Sequence, residues 1–229
     1  MTNMTWGEML VNVTPDGQID FRIAEDVSSS PDATEWTFKI RQGVEYHDGS
    51  TVTAEDVVAT LRRHTDEKSQ SGALGIVQGI SEMKAEGDMV KLTLASANAD
   101  VPYLMADYHL VIQPGGGVDK PDAGIGAGAY KIEVFEPGVR VGFTKHANYF
   151  DSNAGHADQV EILVINDNTA RTAALQSGQV HMMNRVDPKI AALLKGAPGV
   201  RVEAAAGKGH YVFIMRCDEP PFDNNDMRM

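Results

Sequence analysis

Cysteine is nearly absent from this 229-residue chain, where Cys217 stands alone. One thiol excludes an intrachain disulfide framework and any cysteine-based zinc cluster, and it leaves the compartment open. Basic residues are scarce too: 20 Lys and Arg face 32 Asp and Glu, a formal charge of -12. That balance works against phosphate backbones and anionic membrane surfaces, so nucleic acid is not an expected partner. Long apolar runs are missing as well. The stretch Val160 to Ile165, interrupted by Glu161, falls far short of the roughly 20 residues a membrane-crossing helix needs. The opening MTNMTWGEML has no basic stretch followed by an apolar segment and a small-residue cleavage site, so no export signal is visible. The closing DEPPFDNNDMRM stops just after a Pro-Pro turn, and both ends read as cut. At 42% hydrophobic residues, the composition predicts a globular chain with one sizeable core or two small ones.

Catalytic signatures are equally thin. Seven histidines occur, none paired at helical i, i+4 spacing beside a carboxylate, so neither a metal nor a cofactor is expected. The run GIGAGA from Gly124 to Ala129 invites a nucleotide-loop reading, which remains the enzyme alternative. Its context is wrong, because that loop follows a strand and opens a helix, whereas Pro121-Asp122 precedes this run and an alternating strand follows it. The glycines are expected to allow close backbone packing instead. No GxSxG elbow or GK[ST] phosphate loop occurs. The sequence therefore argues against an enzyme. The cluster Asp107-Tyr108-His109 suits capping and surface roles or a pocket role, and both stay open. Trp6, Tyr103, Tyr108 and Tyr149 are aromatic residues suited either to a ligand or to the core, while Trp36 is assigned to the core.

Alternation is the clearest positive signal. Trp36, Phe38 and Ile40 share one face of a half-buried strand, and Asp48-Gly49 marks a tight turn. Thr53 and Asp56 form a variant capping box that opens a helix from about Ala54 to His64, with Val57, Val58 and Leu61 as its apolar stripe. A hairpin is expected between the stretch from Gly79 to Lys84 and the strand carrying Val90, Leu92 and Leu94. Asp100 is expected to cap a short helix that turns Tyr103, Leu104 and Met105 inward. The Gly- and Pro-rich segment from Pro114 to Gly128 reads as a long loop and a subdomain boundary. Two alternating strands follow, through Tyr130, Ile132 and Val134 and through Val139, Val141 and Phe143. The run Val160 to Ile165 reads as a strand covered on both faces, ahead of a helix from about Thr169 to Ser177. Asp187-Pro188 opens another helix closed by Gly196, and Val200 to Glu203 and His210 to Met215 read as strands. The class is mixed α/β.

Several segments, taken in order, resemble the family 5 solute-binding proteins of ABC importers, the peptide, opine and nickel binding group. The segment EWTFKIRQGVEYHDGSTVTAEDVV (Glu35 to Val58) is similar to that family's signature of strand, His-Asp-Gly turn and Thr-Ala-x-Asp-Val helix start. GAGAYK (Gly126 to Lys131) resembles its GTGPY segment, HANYF (His146 to Phe150) its NPxYW, and TAALQSGQVH (Thr172 to His181) its ALxxGxVD. PPFDNNDMR (Pro220 to Arg228) resembles its PFDxxxVR. Ala127, Ala129, Ala147, Phe150 and His181 depart from these patterns.

The resemblance implies an α/β, periplasmic-binding-protein type II-like lobe: a mixed sheet with flanking helices and a smaller hairpin-helix subdomain. Residues 8–114 would form the smaller subdomain and 115–229 the main one. The second lobe would be absent, leaving a truncated first lobe that binds solute weakly or not at all and whose unpaired edges favour self-association. The implied function is capture of a peptide, opine, nickel chelate or sugar outside the cytoplasmic membrane and its delivery to an ABC permease. By position in the family, the cleft-facing residues would be Trp6, Ser71, Gly72, Ala73, Tyr108 and His109. A non-transporting interaction module is the remaining alternative.

Overall fold

The computed structural model of the chain describes residues 3–66, 70–120, 123–204 and 214–228. It opens with one helical turn, α1 (Asn3–Trp6), and a short antiparallel ribbon of β1 (Val11–Val13) and β2 (Ile19–Phe21). Strands β3 (Ala24–Ser29) and β4 (Glu35–Ile40) come next. Helix α2 (Ala54–Arg63), the turn α3 (Leu74–Val77) and the hairpin β5 (Ile80–Glu86) and β6 (Met89–Leu94) follow. The four longer strands form one sheet in the order β3-β4-β6-β5. After the short helix α4 (Val101–Leu104), a second sheet contains β7 (Tyr130–Glu136), β8 (Arg140–Lys145) and β9 (Gln159–Leu163). Helices α5 (Asn168–Gln176) and α6 (Pro188–Lys195) complete the elements that concern us. The fold is mixed α/β, and every ladder among the described residues is antiparallel.

Period-two patterning explains the larger sheet. Trp36, Phe38 and Ile40 are buried while their neighbours on β4 are not, and the register sets Trp36 opposite Leu92 and Phe38 opposite Val90. A one-residue slip would send these side chains to solvent, so the core itself pins the register. Helix α2 covers this face with Val57, Val58 and Leu61, each contributing about 1.5–3 kcal/mol by leaving water. The main core draws on residues from Leu10 to Ile112 and is joined by Ala127.

The start of α2 is held at both ends of the capping box. Thr53 Oγ1 accepts from Asp56 N–H at 3.2 Å, and Asp56 Oδ2 accepts from Thr53 N–H at 2.9 Å. The other oxygen of Asp56 accepts from Gly115 N–H at 2.7 Å, tying the helix to the 3-10 turn Pro114–Gly117. Gly116 in that turn has φ +72° and lies so near α2 that a Cβ would sit 2.5 Å from the Ala59 carbonyl carbon. Only glycine suits both the backbone conformation and the approach.

Four expectations need correction. Asp100 makes no side-chain cap on α4, whose buried residues are Val101 and Pro102; Met105 does turn inward, but Tyr103 is 41% exposed. Strand β9 is not covered on both faces, since no residue of it is buried. Among the described residues it is the outer strand of an antiparallel ladder and pairs only with β8, which leaves its side chains half-buried or exposed. Val200 to Glu203 forms no strand. His210 to Met215 falls largely outside the described residues, and Ile214 and Met215 lie in no strand. The other expected helices and hairpins form within a residue or two of the expected ends.

Asp56→Ala removes acceptors for both Thr53 and Gly115 and is expected to destabilise the chain by about 1–2 kcal/mol. Urea unfolding with an unchanged midpoint would show that the cap is dispensable.

Candidate functional site

Three polar clusters join segments far apart in sequence. The first surrounds Arg22. Its guanidinium reaches Glu8 at 3.3 and 3.4 Å, the Tyr149 hydroxyl at 2.6 Å and Asp151 at 2.9 Å. Tyr149 in turn donates to Glu8 at 2.5 Å. Burial pushes the Glu8 carboxyl up from its usual range, against the pull of Arg22 and Tyr149. The guanidinium also lies 5.3 Å from the centre of the Phe150 ring, with Arg41 at 5.4 Å. These groups occupy one another, so Tyr149 serves the fold here rather than presenting a stacking face.

The second cluster contains the glycine run. His47 Nε2–H donates to the Gly128 carbonyl at 3.0 Å, and His146 Nδ1–H donates to the same oxygen at 3.3 Å. The two rings meet edge to face, 5.0 Å apart. His47 N–H donates to Gly126 O at 2.9 Å, and Lys131 Nζ donates to His47 O at 3.0 Å. Burial holds both histidines below their ordinary pKa, which keeps them neutral. A Cβ on Gly126 or Gly128 would lie 2.5 Å from the Trp6 backbone. The run therefore packs beneath Trp6 and leads into β7, with no helix to receive a phosphate. The stretches His-Asp-Gly, GAGAY and HANYF meet here as mutual supports.

The third cluster gathers most of the cleft candidates. His109 Nδ1–H donates to Asp107 Oδ1 at 2.7 Å, and the same oxygen accepts His109 N–H at 2.9 Å. This double anchor fixes the imidazole, and the Tyr108 ring lies 4.0 Å from it, tilted by 33°. Tyr108 is 52% exposed. Gly72 sits directly beneath His109, where a Cβ would come within 2.6 Å of Nε2. Ser71 Oγ shares a 2.6 Å hydrogen bond with His64 Nδ1 and accepts from Ala73 N–H at 3.1 Å. Asn3 Nδ2 donates to Tyr108 O at 3.4 Å, which brings α1, the turn that carries Trp6, to the same corner.

Ser71, Gly72, Tyr108 and His109 thus come together, with Trp6 following through α1. Ala73 does not join them, because its side chain is fully buried in the core. Sequence reasoning missed Asn3 and the link from His64 to Ser71. A His at the end of a helix carries no local signal of a partner seven residues on. Among the described residues, His64 Nε2 is buried without a hydrogen-bond partner, and burial, reinforced by the neighbouring Arg63 and His109 charges, brings its pKa down to about 4. Among the described residues, no group of three or more His, Cys, Asp and Glu could hold a metal ion.

Comparison with known proteins gives a consistent answer. Residues 18–229 match the family model "Bacterial extracellular solute-binding proteins, family 5 Middle". The glutathione-binding protein GsiB of Shigella boydii is 25% identical over 212 residues, covering 90% of this chain and 41% of its own. A probable peptide ABC transporter periplasmic-binding protein of Sinorhizobium fredii is 27% identical, with 85% and 40% covered. Among solved structures, the periplasmic binding protein AgaA of A. tumefaciens R10 with agropinic acid superposes with a TM-score of 0.81 at 32% identity, covering 86% of this chain and 41% of that one. The unliganded, open murein tripeptide binding protein MppA shares the fold at a TM-score of 0.77 and 24% identity, with 86% and 43% covered. The chain spans about two fifths of the length of these relatives.

Two outcomes test the clusters. Arg22→Met strands Glu8 without its cation and is expected to cost about 3–5 kcal/mol in urea unfolding; a loss below about 1 kcal/mol would show that the network carries little of the fold. An unfolded His takes its proton near pH 6.5, whereas folded His64 does so only near 4. Native stability is therefore highest above pH 6.5 and falls as the pH drops toward 4. His64→Gln is expected to remove about 2–3 kcal/mol of that loss between pH 7.5 and 4.5, and an unaltered slope would assign the acid sensitivity to other groups.

Proposed function

The chain belongs to the bacterial extracellular solute-binding proteins of family 5, and we infer from that membership that it forms the solute-receiving part of an ABC importer's binding protein. In this reading it takes up a peptide-like or opine-like solute outside the cytoplasmic membrane and presents it, chemically unchanged, to a membrane permease. The observation that carries the reading is the family match across residues 18–229. The likeness to the agropinic acid binder and to the glutathione binder supports small, polar, peptide-like ligands as the class.

The third cluster is the part suited to hold such a solute. Tyr108 offers an exposed ring backed by His109, and Asp107 keeps His109 in one orientation. Gly72, lacking a side chain, leaves the His109 ring close to the 71–73 backbone. Ser71 braces the loop beneath through His64, and α1, which carries Trp6, approaches the corner through Asn3. A ring of this kind gives contact area at low entropic cost, while fixed polar groups supply orientation.

Hydrolysis by the Ser71 and His64 pair is the competing reading, and the pair is poorly equipped for it. An activated serine needs a base whose second nitrogen is oriented by a third group. His64 Nε2 has no partner, and a pKa near 4 leaves it a weak base. The pair fits a strut for the loop.

Thermal-shift and calorimetric titrations of the chain with glutathione, a tripeptide and agropinic acid test the proposal. One of these classes is expected to raise Tm in a saturable way, and Tyr108→Ala is expected to weaken that binding about tenfold. Flat responses to all three from a cooperatively unfolding sample would overturn the reading for this chain. Binding unaffected by Tyr108→Ala would remove that ring from the site.

A further inference from the structure

An open groove of about 480 Å³ runs alongside α2, lined by Glu55, Val58, Ala59, Arg62, Arg63, Ala85 and Val118. None of the solute-site candidates lines it. Its middle is apolar, and its charged groups stand at opposite ends of the helix: Glu55 in the first turn, Arg62 and Arg63 in the last. Seven residues at about 1.5 Å rise each separate Glu55 from Arg62, a span of about 10 Å.

Among the described residues, these three charges have no ionic partner. Elsewhere Arg22, Lys39, Lys84, Lys91 and Arg140 all meet carboxylates. Arg62 instead donates to the Met83 carbonyl at 2.8 Å, and Arg63 to Gln113 Oε1 at 2.8 Å. Each contact uses one of five guanidinium N–H groups. Arg63 is half-buried, and burial lowers its pKa, the mark of a cation drawn from water without a counter-ion. The helix dipole favours an acid at the start of α2 and bases at its end, but it does not explain why a guanidinium should be half-buried beside an apolar floor with no carboxylate among the described residues to meet it. Nor does it explain the exposed Val118, at 62%, set against that floor.

We propose that this groove is a second binding site, separate from the Tyr108–His109 corner, for a short apolar peptide with free ends. Its terminal carboxylate meets Arg62 and Arg63, its apolar side chains rest on Val58, Ala59, Ala85 and Val118, and its ammonium meets Glu55. An extended tripeptide advances about 3.3 Å per residue, which matches the 10 Å between the two charged ends. Bidentate guanidinium–carboxylate pairing supplies the stronger anchor.

The test is an NMR titration of the chain with the tripeptide Val-Ala-Val, its C-terminal amide and its N-acetyl form. The free peptide is expected to bind with a Kd in the high-micromolar to millimolar range and to shift the amides of Ala59, Ala85 and Val118. The amide form is expected to bind about five- to tenfold more weakly, and the acetyl form to lose less. Arg62→Gln with Arg63→Gln should reproduce the loss caused by the amide, while Tyr108→Ala should leave the shifts at Ala59 and Val118 unchanged. Because the three peptides are compared on the unaltered chain, the result stands even if the double variant fails to fold. Equal binding of free peptide and amide, no shifts along α2, or shifts abolished by Tyr108→Ala would each overturn the proposal. The last of these would leave the solute reading intact.

Discussion

Arg22 is the point on which the rest of the architecture depends. Its guanidinium joins Glu8, at the entrance to the first core strand, to Tyr149 and to Asp151, the latter 129 residues beyond Arg22. A cation buried in this way is favourable only when nearly all its donors are used and its counter-charge is close. Both conditions are met, and Phe150 adds a ring face. The network therefore holds the end of the three-stranded sheet against the main core, and it positions the segment through which β8 leads on to β9.

The neighbouring motifs extend the same logic. His47, His146 and Lys131 converge on the backbone at Gly128 and His47, and the missing side chains of Gly126 and Gly128 let Trp6 lie against the run. Residues that look chemical in a list of letters, two histidines and a glycine loop, are neutral packing and hydrogen-bonding groups in the folded chain. The face proposed for a ligand lies elsewhere, where Tyr108 is exposed and His109 is fixed beside it. Groups that hold one another still in this way suit the recognition proposed for the chain.

Much of the local structure was legible beforehand. The capping box of Thr53 and Asp56, the alternation of Trp36, Phe38 and Ile40, and the two hairpins each depend on residues close together in sequence. Strand β9 was misread because a nearly continuous apolar run does not reveal whether one face or two will be covered. Tyr103 was misread because one helical turn is too short to define an inward stripe. Of the candidate site, Tyr108, His109, Ser71 and Gly72 were nameable through family resemblance. Their convergence was not legible, and Ala73, adjacent to two of them, turned out to belong to the core.

Spacing along the chain by itself determined the mixed α/β class, the helix starts, the turns and the registers that hydrophobic alternation protects, because those energies arise between near neighbours. Only the tertiary structure decided that Glu8 would meet Tyr149, that His64 would brace Ser71, that Trp6 would rest on Gly126 and that Arg63 would be half-buried against Gln113. Such contacts are set by how sheets and helices pack after long loops close. The balance there lies between burying a polar group and finding it a partner, and that balance is not encoded in any short stretch of residues.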